Sequence, residues 1–220
     1  MKNKIFLTSH EVDLIRLGNN FDGGYLIPKI AVKNSKILIS FGLGTDWSFE
    51  KSFKEMNKNI KIYCYDHTVN RRFWYEHTLI SLFFFIKNLK NFKDIFCYFR
   101  YKKFFLKNNI KHEQKKIVSK KFNSSDISIS EIVKQYKNHQ LFLKIDIEGD
   151  EYRILDKIKN FKKLISFVIE FHNIDLHYEK INTFLKKNKN FKIVHAHPNN
   201  MGGVNEKMEP LTVEITFINL

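Results

Sequence analysis

The sequence predicts an α/β domain built on a mostly parallel seven-stranded sheet whose last strand runs antiparallel. Three observations carry that reading. Short apolar runs alternate with stretches of helical period, as strands and crossover helices do. The first clear run, KILISF, ends in Gly42-Leu-Gly44, and the next, IKIYCY, leads into Asp66. The final run, LTVEITFI, sets Val213, Ile215 and Phe217 against Thr212, Glu214 and Thr216, as an antiparallel strand with two unlike faces would.

Taken in order, residues 36–41 form a buried strand, and residues 46–57 a helix with Trp47, Phe49, Phe53 and Met56 at roughly helical spacing. Residues 60–65 are the second strand. Residues 71–112 are a basic, aromatic insertion of one or two helices, followed by a weak third strand over 115–119. Ser128 and Glu131 have the spacing of a capping box for a helix through Ile132 and Tyr136. Residues 141–147 (LFLKIDI) are the clearest strand. A helix with Tyr152, Leu155, Ile158 and Phe161 on one stripe follows it. Strands over 164–171, 191–195 and 211–218, with a helix over 176–187, complete one domain spanning 1–220.

Composition narrows the class. With 43% hydrophobic and 28% charged residues the chain is globular rather than disordered. Cys64 and Cys97 lack metal-type spacing and suggest no disulfide framework. The apolar start at Met1 meets Thr8, Ser9 and His10 too soon for a signal peptide. The longest uncharged apolar run, Leu79 to Ile86, falls short of the about 20 residues a bilayer crossing needs. A cytoplasmic setting is expected. Of the net charge of +15, residues 71–121 hold +11, with 14 Lys or Arg against Glu76, Asp94 and Glu113.

Gly42-x-Gly44 between a strand and a helix lets the backbone approach a ligand closely. Asp66, 22 positions after Gly44, is placed to accept hydrogen bonds from ribose hydroxyls. A dinucleotide fingerprint needs a third glycine where this chain has Trp47, so a nucleoside without phosphates, such as S-adenosylmethionine, fits better.

Acidic residues and histidines gather at strand ends: Asp146, Glu148 and Glu151 in KIDIEGDE, Glu170 and His172 in VIEFH, and His195 and His197 in HAHPNN. Ligands bind at that edge of open α/β sheets. The stretch KIDIEGDEYRIL resembles the signature of FkbM-type methyltransferases. So do Arg16-Leu-Gly18 with Asp22-Gly23-Gly24-Tyr25, the FGLGTD turn, and the tail HAHPNN with VEITFI. The matches run from about Arg16 to the end and leave residues 71–112 uncovered. The resemblance implies a Rossmann-like methyltransferase fold and an S-adenosylmethionine-dependent O-methyltransferase acting on sugars of bacterial capsule or lipopolysaccharide. By position it implies that Gly42, Gly44 and Asp66 hold the cofactor, and that the Arg16 to Tyr25 segment, with Asp22 and Gly23, lies over its methionine end or closes the pocket. Asp126 would receive the adenine amino group. Asp146, Glu148, Glu170, His172, His195 and His197 would surround the acceptor hydroxyl, with Asn199 and Asn200 on the substrate.

Methyl transfer to an alcohol needs in-line geometry and a group to take the hydroxyl proton. His195 or His197 is the candidate base, and one of the two is expected to face away along its strand. Alternatively, Asp146, Glu170 and His172 hold a divalent ion that acidifies the hydroxyl. Three readings of the insertion stay open: a packing or dimer element of a homo-oligomer, a lid whose cations, with Arg71 and Arg72 near the ligand edge, bind a nucleotide-sugar diphosphate, or an amphipathic patch on an anionic membrane. Nucleic acid is disfavoured, because no recognisable nucleic-acid module appears and the acidic strand-end motif is not the type used for exocyclic amines.

Overall fold

A computed structural model describes residues 8, 10–20, 23–87, 95–106, 110–199 and 201–220. An antiparallel hairpin of β1 (Leu14–Leu17) and β2 (Tyr25–Pro28) leads into α1 (Lys29–Asn34). Then come β3 (Ile37–Phe41), α2 (Ser48–Met56), β4 (Lys61–Tyr65), α3 (Arg71–Lys87), α4 (Cys97–Phe105) and β5 (Ile110–Glu113). A small parallel pair, β6 (Lys116–Val118) and β7 (Asp126–Ser128), precedes α5 (Ile129–Tyr136). The chain continues through β8 (Leu141–Ile145), α6 (Glu151–Ile154) with a 3-10 turn, and β9 (Leu164–Phe171). It closes with α7 (Ile174–Lys187), β10 (Phe191–Pro198) and β11 (Val213–Asn219).

The main sheet has the order β10-β11-β9-β8-β3-β4-β5, with β11 antiparallel to both neighbours and the other pairs parallel. This is a Rossmann-like, doubly wound arrangement. From β3 the chain winds outward through β4 to β5, then returns to β8 on the other side. The order therefore reverses between β3 and β8, and that crevice is where open α/β sheets bind ligands. One apolar core packs α5, α6 and α7 on one face of the sheet; a second packs the hairpin, α1, α2 and the insertion helices on the other.

Several predicted elements form where expected, including the capping box, with both Ser128–Glu131 bonds present. Others differ. The edge strand is Ile110–Glu113 rather than 115–119, so the last residues of the 71–112 segment belong to the sheet and not to a helical insertion. IKHE reads as polar because an edge strand buries little beyond Ile110, but His112 is tied in: its Nε2 lies 3.0 Å from the Asp66 carbonyl and its Nδ1 2.6 Å from the Tyr101 hydroxyl. The polar face of β11 is not solvated. Glu214 and Thr216 are buried beneath the β1–β2 hairpin, and the Thr216 hydroxyl donates to the Leu26 carbonyl at 2.8 Å.

Candidate functional site

The glycine turn after β3 is built against the end of β8. Gly42 has φ +81°, and a Cβ there would overlap the Asp146 carbonyl, so both conformation and space require glycine. Gly44 has φ +54° with open space in front of it. Asp66 holds this turn closed. Its Oδ2 accepts from the Leu43 and Gly44 N–H groups at 2.8 and 3.1 Å; its Oδ1 accepts from the Thr68 N–H and hydroxyl at 2.8 and 2.6 Å. Burial alone would raise the Asp66 pKa, but these hydrogen bonds outweigh it and hold the carboxyl below the usual range. Four accepted bonds fill the carboxylate, so ribose hydroxyls reaching it must share with the turn.

Two contiguous clefts open at this edge. One, of about 320 Å³, lies between Gly23, Gly44 and Asp46 on one side and Asp146 with Glu148 on the other. The second, of about 130 Å³, continues past Asp66 to His67, Lys116, Ile117 and Asp150. Gly42, Asp66, Thr68, Asp146 and Glu148 line both.

Beneath the cleft lies a buried charge network. Lys144, next to the end of β8, is 4% exposed; its Nζ donates to the Gly42 carbonyl at 3.0 Å and lies 3.5 Å from Asp146 and 4.0 Å from the fully buried Glu50. Burial alone would lower the lysine pKa, but Asp146, Glu50 and Glu170 override it and hold the ammonium charged. Glu50 takes the Ser40 hydroxyl at 2.5 Å, and burial raises its pKa. The Tyr25 hydroxyl lies 2.9 Å from Glu170 and 3.2 Å from Asp146, lashing the hairpin to two strand ends.

Asp146, Glu148 and His172 each offer one ligand atom, and these atoms lie within 4.8 Å of one another. Glu151 orients the imidazole. It is fully buried, accepts the Ile147 and Gly149 N–H groups at 3.1 Å each, and takes His172 Nδ1 at 3.0 Å. That leaves His172 Nε2 facing Glu148 at 3.5 Å. A carboxylate on the far nitrogen of a histidine is the usual support for a metal-binding imidazole. Glu170, expected in the ligand set, is 6% exposed, with its oxygens engaged by Tyr25 and Asn199 and its Oε1 3.8 Å from His172 Nε2, while Glu148 stands in the geometric cluster with Asp146 and His172. The loop sets Glu148 at φ 55°, a left-handed conformation rare for a non-glycine residue.

Burial alone would lower the His172 pKa, but Glu151, Asp146 and Glu148 raise it to about 9. A folded-state pKa above the ordinary value of about 6.5 stabilises the protein fully below that pH, and the contribution is lost as pH rises through about 9. It amounts to about 3 kcal/mol. Denaturant titrations at about pH 6 and about pH 10 should show this loss in the parent chain and not in His172→Gln. An equal decline in both would remove His172 as its source.

His195 and His197 do not face opposite ways. Residues two apart on a strand share a face, and their rings are near-parallel at 6.2 Å. Burial first, then His197 and Arg16, lower the His195 pKa, so its imidazole is neutral near physiological pH. Neither histidine lines the two clefts, nor, of the remaining candidates, do Asp126, Arg16, Arg72 or Asn199. Asp126 spends Oδ2 on the Phe122 and Asn123 N–H groups. Arg16 braces its own loop through the Asn19 and Asn20 carbonyls, and that loop carries Gly23 to the cleft. Arg72 pairs with Glu76 on the exposed start of α3, next to Arg71. Asn199 is buried and donates to Glu170 rather than facing the cleft. Asp22 and Asn200 lie outside the described residues.

Sequence reasoning missed Lys144 and Glu50 as parts of this site, and it gave Glu151 and Tyr25 no individual role. The available signals were a lysine inside an otherwise apolar strand and a second glutamate in KIDIEGDE.

No family model and no curated protein matches the chain. Solved structures similar to it include the fibrillarin pre-rRNA processing protein of Methanococcus jannaschii, at 11% identity and TM-score 0.45, covering 98% of this chain and 84% of that one. TYW2 of M. jannaschii in complex with AdoMet aligns at 11% identity and TM-score 0.44, covering 97% of this chain and 90% of that one. The O-methyltransferase of Bacillus cereus with SAH aligns at 9% identity and TM-score 0.42, over 86% and 77%.

Proposed function

We propose that the protein is an S-adenosylmethionine-dependent O-methyltransferase of the FkbM type that acts in the cytoplasm on the hydroxyl of a nucleotide-linked sugar or glycan precursor. The observation that carries this reading is the cleft at the strand-order reversal, with the Gly42–Gly44 turn and Asp66 on one wall and Asp146, Glu148 and His172 on the other. The open space before Gly44 suits a nucleoside sulfonium, with Asp66 toward the ribose and Gly23 toward the methionine end. When bound, S-adenosylmethionine supplies an electrophilic methyl group.

The chain's own residues handle the acceptor. His195, neutral at physiological pH, is the group to take the hydroxyl proton. Two carboxylates and a carboxylate-oriented imidazole also fit a divalent ion, which would lower the hydroxyl pKa. A cavity of about 420 Å³ shares Thr45 and Asp46 with the cleft and is lined by Lys51, Arg100, Lys103, Trp47 and Phe104. Three cations beside two aromatic rings suit the diphosphate and base of a nucleotide-linked sugar.

Calorimetry with S-adenosylmethionine and its demethylated product tests the cofactor, with NAD as control. Micromolar binding of the first two and none of NAD is expected. Asp66→Ala should weaken binding roughly 10–100-fold, as loss of a charged hydrogen-bond acceptor does. A folded sample that binds neither compound would overturn the reading.

A further inference from the structure

We propose that the insertion docks the protein on an anionic lipid bilayer through the outer face of α3. On a surface helix apolar residues face the core and polar ones face water. Here the pattern is inverted. Trp74 and Ser81, seven apart, point inward at 5% and 6% exposure, while Leu79, Ile80, Leu82, Phe83 and Phe84 are 40–56% exposed. The small polar residue occupies the buried position and the large apolar ones face out. A contiguous exposed patch of this kind marks an interaction surface.

Charge selects the occupant. The second insertion helix, α4, packs on α3 through Trp74 against Tyr98 and Tyr101, and it presents Phe99 beside the exposed Arg100, Lys102 and Lys103. Together α3 and α4 carry six Lys or Arg against Glu76 alone. A second copy of the chain meeting this face would bring like charge to like, whereas a leaflet of acidic phospholipids accepts both the apolar residues and the cations. The apolar half of α3 begins at Leu79, after Arg71, Arg72, Glu76 and His77, so it is too short to cross a hydrocarbon core of about 30 Å and fits lying along the surface. Among the described residues no helix is long and apolar enough to cross a membrane. This inference does not depend on the reaction proposed above.

Flotation of the full chain with vesicles tests it. Binding to phosphatidylcholine vesicles containing phosphatidylglycerol should exceed binding to phosphatidylcholine alone by roughly tenfold or more, and should weaken as salt is raised. Leu79→Ser with Phe83→Ser, at exposed positions, should cut the partition roughly tenfold without changing the melting temperature, and Phe99→Ser with Lys102→Glu, on exposed positions of α4, should do the same. The proposal is overturned if the parent chain does not float with anionic vesicles, or if neither double variant changes its flotation. It is equally overturned if the parent is a dimer that the Leu79 and Phe83 changes convert to a monomer, or if those changes abolish RNA binding and leave flotation intact.

Discussion

Lys144→Met is expected to destabilise the protein by about 3–5 kcal/mol, the cost of removing one partner from a buried ion pair. The lysine is 4% exposed and offsets Glu50, which is fully buried and has Oε2 without a hydrogen-bond partner. Its Nζ also closes the glycine turn through the Gly42 carbonyl. Methionine fills similar volume, so the loss reads the stranded carboxylates rather than a cavity. The deficit should shrink as pH falls, because a carboxyl whose folded pKa is raised binds its proton more readily folded than unfolded. Adding Glu50→Gln should recover most of the loss. Denaturant titration of the three chains decides the matter: a Lys144→Met cost under about 1 kcal/mol, or no recovery in the double variant, would show that the network does not hold the sheet centre together.

The second large effect is on turnover. If the chain carries out the methyl transfer proposed above, Asp146→Asn should reduce it roughly 1000-fold or more with the fold retained, on the scale of losing a group that stabilises the reacting centre. Asparagine preserves the shape of the side chain and a contact to the Tyr25 hydroxyl, so circular dichroism and melting temperature should move little. What it removes is the carboxylate beside Lys144 and in the cluster with Glu148 and His172. Manganese affinity, followed by electron paramagnetic resonance, should drop roughly 10–100-fold alongside. Turnover retained within about tenfold would take Asp146 out of the site. Turnover lost with manganese binding unchanged would leave its acceptor role and discard the metal.

Much of the fold follows from local pattern. The runs KILISF, IKIYCY, LFLKI and LISFVIEF are apolar because parallel strands are buried on both faces, and that periodicity survives in the chain without its partners. Gly42 and Gly44 were readable for the same reason: a positive φ is a property of one residue. The β1–β2 hairpin and the IKHE edge strand were not, because their stability comes from what they lie against.

The site divides the same way. The sequence by itself determined that carboxylates and histidines stand at successive strand ends, since strand termini are set by local turn signals. Only the tertiary structure decided which of them meet. Strand register brings Glu170 beneath Tyr25 and Asn199, which satisfies it, while the left-handed turn at Glu148 swings that exposed carboxylate to His172. Glu151, which resembles an ordinary first-turn residue of a helix, becomes the buried anchor of His172 because the β8 and β9 ends are adjacent. Spacing along the chain specifies which side chains are available. Which of them are paired, and which remain open to a ligand, depends on packing between elements far apart in sequence, where a buried charge must find a partner and an exposed one need not.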